Sequence, residues 1–233
     1  MELDLRTFTP ARVAIGRTGN SLPTSELLRF ELDHARARDA VYRELEPGWP
    51  PVPHIALHSA ARDRSTYLRR PDLGRKLSEE SKARLEPGDY GAALVIADGL
   101  SALAVQRHAL PLLEELQALL AADHCRLAPL SVAAQGRVAV GDEIGERLGA
   151  RSVVVLIGER PGLSSPDSLG AYITWDPHPG RTDAERNCVS NIRAEGLGYG
   201  AAARLIHFLL SEARRQKLSG VQLRIHALGA LPR

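Results

Sequence analysis

The sequence predicts an α/β fold: a doubly wound, mostly parallel, Rossmann-like sheet with an N-terminal helical region. Three observations carry this. Apolar runs of strand length at 92–97, 130–134 and 153–157 show almost no polar alternation, the pattern of strands buried on both faces. Helix-length segments separate them, and strands alternating with helices imply parallel crossovers. Pro87-Gly88 is a clear break with no such alternation before it. It divides the chain into a helical region, 1–88, and an α/β domain, 89–233.

The first element is a helix over 24–45. Thr24 is its expected N-cap, Glu26 suits the positive end of the helix dipole, and Leu28, Leu32 and Ala35 share a face. The charges between Asp33 and Asp39 form a solvated face. Trp49-Pro50-Pro51-Val52-Pro53 makes a loop. A basic, punctuated stretch from Tyr67 to Leu77 follows, then a short helix over 79–85. Past the break, the strand 92–97 ends at Asp98-Gly99. The helix 101–122 begins at Ser101, a favoured N-cap type, and Pro111 is expected to kink or divide it. A weaker strand, 130–134, precedes a helix over 141–148 stopped by Gly149. Strands at 153–157 and 171–175 follow. A helix over 199–216 lines one face with Ala202, Leu205, Leu209 and Ala213, and an edge strand is expected at 221–225.

Composition narrows the function classes. The chain has 233 residues, 30 Lys+Arg against 28 Asp+Glu, and 4% aromatics. Near-balanced charge leaves no electrostatic footprint for nucleic acid or anionic lipid, and so few rings argue against base stacking. Cys125 and Cys188 fit no metal spacing and read as free thiols of a reducing compartment. No apolar run approaches the ~20 residues of a membrane span, and the start of the chain lacks a secretory signal's apolar core. A soluble, cytoplasmic protein is expected.

Asp98-Gly99-Leu100-Ser101 is a strand-to-helix turn, yet neither GxGxxG nor a Walker loop. Ser101 sits in no GxSxG elbow, and the eight histidines form no HExxH or other paired metal spacing. Asp176-Pro177-His178-Pro179-Gly180 reads as a stiff turn, not a cobalt ligand. Glu159-Arg160 directly follows the strand 153–157. A carboxylate only accepts and a guanidinium only donates, so the two either hold amide or phosphate groups of a ligand or form a surface ion pair. The segment from Arg186 to Ile192 reads as a polar loop. Within it Cys188 is a small buried filler with no base beside it to activate the thiol.

Several of these segments, with others, resemble the small (light) subunit of ethanolamine ammonia-lyase. They are Leu68-Arg69-Arg70-Pro71-Asp72-Leu73-Gly74-Arg75, Ile96-Ala97-Asp98-Gly99-Leu100-Ser101-Ala102, Gln135-Gly136-Arg137-Val138 and Gly141-Asp142-Glu143-Ile144-Gly145. The likeness continues through the glycine- and proline-rich stretch from Gly158 to Tyr172 and through the run from Asp183 to Ile192, and spans roughly 13–220. It implies a subunit lying against a larger barrel subunit, in an oligomer of heterodimers, and covering adenosylcobalamin between them. The implied reaction converts ethanolamine to acetaldehyde and ammonia through a radical released by cobalt–carbon homolysis.

Substrate is held mainly by the large subunit of such enzymes. The resemblance therefore assigns no catalytic residue and no metal ligand here, and implies a chain inactive alone. It implies three corrinoid contacts: Val138 in Gln-Gly-Arg-Val, Glu159 in Gly-Glu-Arg-Pro-Gly, and Cys188 in Arg-Asn-Cys-Val-Ser-Asn-Ile. Relatives often carry a longer amino-terminal extension, linked to packaging in a bacterial microcompartment. This chain starts close to the shared body, which argues against encapsulation. The alternative reading is a stand-alone α/β ligand-binding or regulatory module without catalysis.

Overall fold

A computed structural model describes residues 5–9 and 11–223. Six strands form one sheet in the order β1-β3-β2-β4-β5-β6. They are β1 (Ile55–His58), β2 (Ala93–Ala97), β3 (Ser131–Ala134), β4 (Ser152–Gly158), β5 (Leu169–Trp175) and β6 (Asn187–Ile192). The first four pair in parallel, and β5 and β6 are antiparallel to their neighbours.

The sheet is therefore mixed rather than mostly parallel. The physical reason is the connection after β4. The ten residues 159–168 are too few for a crossover helix, so the chain turns back beside the strand it has left. Two further strands escape the sequence pattern. β1 is four residues long and lies within the first 88. β6 occupies the segment read as a polar loop, where an edge strand needs only one apolar side and Val189 and Ile192 supply it. The strand expected over 221–225 is absent where described: Gly220–Gln222 is a 3-10 turn, and 224–225 lie outside the described residues.

Two helices cover one side of the sheet: α4 (Ala102–Ala122) and α6 (Tyr199–Gln216). Leu94, Ile96, Leu156, Ala171 and Ile173 pack there against Leu112, Leu116, Ile206 and Leu210 in the larger apolar cluster. Burying each leucine or isoleucine stabilises the fold by roughly 1.5–3 kcal/mol. α4 runs undivided through Pro111, and Ser101 caps it by accepting from the Ala104 amide at 3.2 Å.

The other side carries α5 (Val140–Leu148), which ends at Gly149 in the left-handed region. Val140, Ile144 and Leu148 meet Val95, Val153 and Val155 in the second cluster. A buried, two-pronged ion pair joins α5 to the start of β6. Arg186 Nη1 and Nη2 reach the Asp142 carboxylate at 2.5 and 2.7 Å. Arg186 Nη1 also donates to Thr174 Oγ1 at 3.1 Å, and Nη2 to the Arg181 carbonyl at 2.9 Å.

The amino-terminal part supplies α1 (Thr24–Tyr42), α2 (Arg64–Arg69) and α3 (Glu79–Lys82). α1 ends three residues short of the expected 45. Pro23, not Thr24, occupies its cap position, with no side-chain bond. Leu28 and Leu32, expected on one face, are 58% and 50% exposed, and Ala40 is the helix's one fully buried residue. α3 is short and is capped by Ser78, whose oxygen accepts from the Ser81 amide.

Candidate functional site

The carboxyl ends of β2, β3 and β4 meet at one edge of the sheet, where open α/β sheets place ligands. The edge is built on close backbone approach. Gly158 carbonyl accepts from the Leu100 amide at 3.0 Å, and a Cβ on Gly158 would stand 2.1 Å from the Ser101 carbonyl oxygen. Glycine is the residue that fits there.

Beneath the edge lies a buried polar hub. Asp98 Oδ1 accepts from the Gly136 amide at 3.0 Å, and its Oδ2 lies 3.4 Å from Arg64 Nη1. Arg64 also donates to the Gly99 carbonyl at 2.8 Å, to Gln135 Oε1 at 3.3 Å and to the Val41 carbonyl at 2.8 Å. One guanidinium thus ties the end of α1 to the turns after β2 and β3. Burial pushes the Asp98 carboxyl up to about 6, and Arg64 opposes that rise. The Asp98-Gly99 turn is committed to this hub and to the Leu100 contact.

The loop after β4 is held at several points. Ser101 Oγ donates to the Pro166 carbonyl at 2.9 Å while capping α4, and Arg107 pairs with Asp167 at 2.7 Å. Ser165 and Gly162 close a turn between them.

Glu159 opens this loop and is half-buried. It forms no ion pair with Arg160 among the described residues. Its Oε2 accepts from Ser168 Oγ and from the Asn191 amide, the latter at 3.3 Å. Cys188 pairs with Tyr172 in the β5–β6 register. The Cys188 thiol is raised by partial desolvation against its neighbours, although the residue as a whole is exposed, and by the Glu159 charge, while a bond with Tyr172 opposes the rise. Burial, then Cys188 and then Glu159, raise the Tyr172 phenol well above its usual range. Both groups are therefore neutral near pH 7. Glu159, Tyr172 and Cys188 form one cluster.

This cluster lies on the α5 side of the sheet. Tyr172 belongs to the cluster of side chains packed with α5, whereas its neighbours Ala171 and Ile173 point toward α4 and α6. Cys188 is exposed, contrary to the expected buried filler. On edge strand β6, Val189 and Ile192 take the α6 side, so Cys188 emerges on the other. Among the described residues, α5 secures that side of β6 only at its start, through Asp142 and Arg186, and no helix covers Cys188 and Ser190.

Val138 stands apart from Glu159 and Cys188 but on the same side. It lies in the turn between β3 and α5 and packs partly buried against the second cluster. From β3 to β6 is four strand intervals, roughly 19 Å. Along that side Val138 follows β3, Glu159 follows β4, Tyr172 lies on β5 and Cys188 on β6.

Sequence reasoning missed Tyr172, Ser168 and the Arg64–Asp98–Gln135 hub. Tyr172 is recognisable once β5 is known to run antiparallel, because alternation then sets it opposite Cys188. His178 sits in the expected turn, its Nδ1 3.1 Å from the Pro179 carbonyl. No group of three His, Cys, Asp or Glu among the described residues is arranged to hold a metal ion, and no described helix is long and apolar enough to cross a membrane.

A mixed α/β sheet whose antiparallel edge strand β6 exposes Cys188 and Ser190, joined to an amino-terminal helix with Leu27, Leu28, Phe30 and Leu32 exposed, defines the structural class of the protein. Comparison with known proteins gives the class a family. The family model for the ethanolamine ammonia-lyase light chain (EutC) matches residues 2–224. The chain is 55% identical over 238 residues to the ethanolamine ammonia-lyase small subunit of Xanthomonas campestris pv. campestris (strain ATCC 33913), covering 96% of this chain and 87% of that protein. It is 56% identical to the small subunit of Azotobacter vinelandii, with 96% and 87% covered, and 54% identical to that of Pseudomonas putida (strain GB-1), with 97% and 88% covered. The chain belongs to the ethanolamine ammonia-lyase light chain family.

Proposed function

We propose that this chain, with a large subunit, encloses adenosylcobalamin, and that the assembled enzyme deaminates ethanolamine to acetaldehyde and ammonia. One observation carries the reading for this chain: Glu159, Tyr172 and Cys188 gather on the α5 side of the sheet, near the β6 edge that no helix covers among the described residues, and Val138 lies on the same side. When bound, the cofactor supplies the radical chemistry. The chain's own residues bind and exclude. Glu159 Oε1, which takes no hydrogen bond among the described residues, accepts from a peripheral amide of the corrin. Val138 and Tyr172 cover apolar surface. Cys188, held neutral, fills space beside the ring and performs no nucleophilic step.

The partner is the large subunit, which holds the substrate and the reacting atoms, in an oligomer of heterodimers. Residues 1–88 contribute to that contact. α1 exposes Leu27, Leu28, Phe30 and Leu32, which favours burial against a partner. On this reading the chain alone is catalytically silent, and it works in the cytoplasm.

The test is cofactor titration of the reconstituted two-subunit complex. Glu159→Ala lowers adenosylcobalamin affinity by about 1–3 kcal/mol, as for a lost bond to a charged group, with assembly unchanged by size-exclusion chromatography. Unchanged affinity would refute the assignment of Glu159. Full turnover by the large subunit alone, unaltered on adding this chain, would refute the subunit role.

A further inference from the structure

We propose that Ser168 is a positioning residue that aims Glu159 at the cofactor. The inference rests on the reading of Glu159 as a corrinoid contact and deepens it. Ser168 is 7% exposed and touches Glu159 twice. Its carbonyl accepts from the Glu159 amide at 2.9 Å, closing the end of the β4–β5 hairpin, and its hydroxyl donates to Glu159 Oε2.

A second donor converges on the same oxygen. The amide of Asn191, held at φ 58° on β6, reaches Oε2 at 3.3 Å. The space beneath the carboxylate is vacated by Gly170. A Cβ there would stand 2.9 Å from Glu159 Oε1 and 3.1 Å from its Cγ. Three segments thus converge on one side chain: the first residue of the β4–β5 loop bears it, the last residue of that loop supplies the hydroxyl, and β5 and β6 supply the gap at Gly170 and the amide of Asn191.

The consequence follows from acceptor geometry. An ionised carboxylate has two oxygens, each able to accept. With Oε2 engaged by two protein donors, Oε1 is the oxygen left to accept from a ligand amide. A free glutamate on a strand end samples many rotamers and loses that freedom on binding. Ser168 removes part of this loss beforehand, so its contribution appears in cofactor affinity and passes entirely through Glu159.

The test is a double-mutant cycle on the two-subunit complex, titrated with adenosylcobalamin by absorbance, with assembly checked by size-exclusion chromatography. Ser168→Ala weakens binding by roughly three- to tenfold, the cost of ordering one rotamer-rich side chain on binding. In a Glu159→Ala background the same change alters affinity less than about twofold, because the two residues act as one coupled unit. Ser168→Thr, which keeps a hydroxyl, recovers most of the loss.

The inference is overturned by any of three results. Ser168→Ala leaves affinity intact while Glu159→Ala weakens it. Ser168→Ala weakens binding equally in both backgrounds. Ser168→Thr assembles normally but binds no better than Ser168→Ala. A Glu159→Ala variant of unchanged affinity instead removes the reading of Glu159 itself, and the role of Ser168 with it.

Discussion

Replacing Arg186 by Met tests the joint between α5 and β6. Arg186 and Asp142 are each 2% exposed at the side chain, and the guanidinium reaches both carboxylate oxygens, Thr174 Oγ1 and the Arg181 carbonyl. Methionine fills much of the volume but strands Asp142 among apolar neighbours. Burial already raises the Asp142 carboxyl, and Arg186 is the strongest force holding it down. Breaking one partner of a buried pair costs about 3–5 kcal/mol. For a chain of this size that corresponds to a fall in melting temperature of about 6–20 °C.

Two features separate this mechanism from simple loss of packing. The stranded carboxylate is relieved by protonation, so the Arg186→Met deficit shrinks as pH falls from 7 toward 5. Adding Asp142→Leu removes the stranded charge and restores much of the stability, since buried pairs are often replaceable by apolar ones. Urea unfolding of the native chain, Arg186→Met and the double variant, followed by circular dichroism at pH 5 and 7, measures both. A single-variant loss below about 1 kcal/mol, the range of a surface pair, would refute the reasoning. So would a double variant no more stable than Arg186→Met.

Asp98 makes the stability of the chain depend on mild acidity. Its folded pKa of about 6 lies above the ordinary 3.8, so it binds a proton more readily folded than unfolded. Its stabilising contribution is present below pH 3.8 and is lost as pH rises through about 6, a swing of about 3 kcal/mol. The stability difference between the native chain and Asp98→Asn should fall by that order between pH 4 and 7, and a flat difference in urea unfolding counts against it. Cys188, exposed but with a raised thiol pKa, should alkylate with iodoacetamide more slowly at pH 7.5 than a free cysteine, and faster toward pH 9 and above. In the cofactor-loaded complex the label should disappear from Cys188, read by mass spectrometry peptide by peptide. Labelling as fast as before loading would argue against a corrinoid over this face.

The legible parts of the fold are those where burial dictates composition. β2 and β4 are enclosed on both faces, and their apolar runs are visible without any structure. α6 matches its expected bounds because Ala202, Leu209 and Ala213 repeat at helical spacing along a buried face. β1 and β6 are edge strands, and β6 places three polar residues, Asn187, Ser190 and Asn191, among its six without a period-2 pattern, so it reads as loop. Strand direction is invisible to periodicity, because β5 carries the same apolar run in either sense. Only the shortness of the preceding connection signals the reversal. Of the candidate site, Val138, Glu159 and Cys188 follow from family-like segments, but their shared side of the sheet follows only from register. Ser168 escapes notice because its role is a bond across a hairpin whose existence was not foreseen.

The reversal after β4 also bears on the order in which the chain can assemble. Pairing β4 with β5 closes a loop of ten residues, and pairing β5 with β6 one of eleven. Pairing β2 with β4 requires closing 54 residues, which include α4, β3 and α5. The entropy difference between the short and long closures is about 1.5 kcal/mol for flexible chains. The β4–β5–β6 meander is thus the most local part of the sheet, and Glu159, Ser168, Tyr172, Cys188 and Asn191 all lie on it. Apart from Val138, the proposed cofactor contacts are encoded in one contiguous stretch of 34 residues from Gly158 to Asn191, which can acquire its shape before the parallel half of the sheet has found its register.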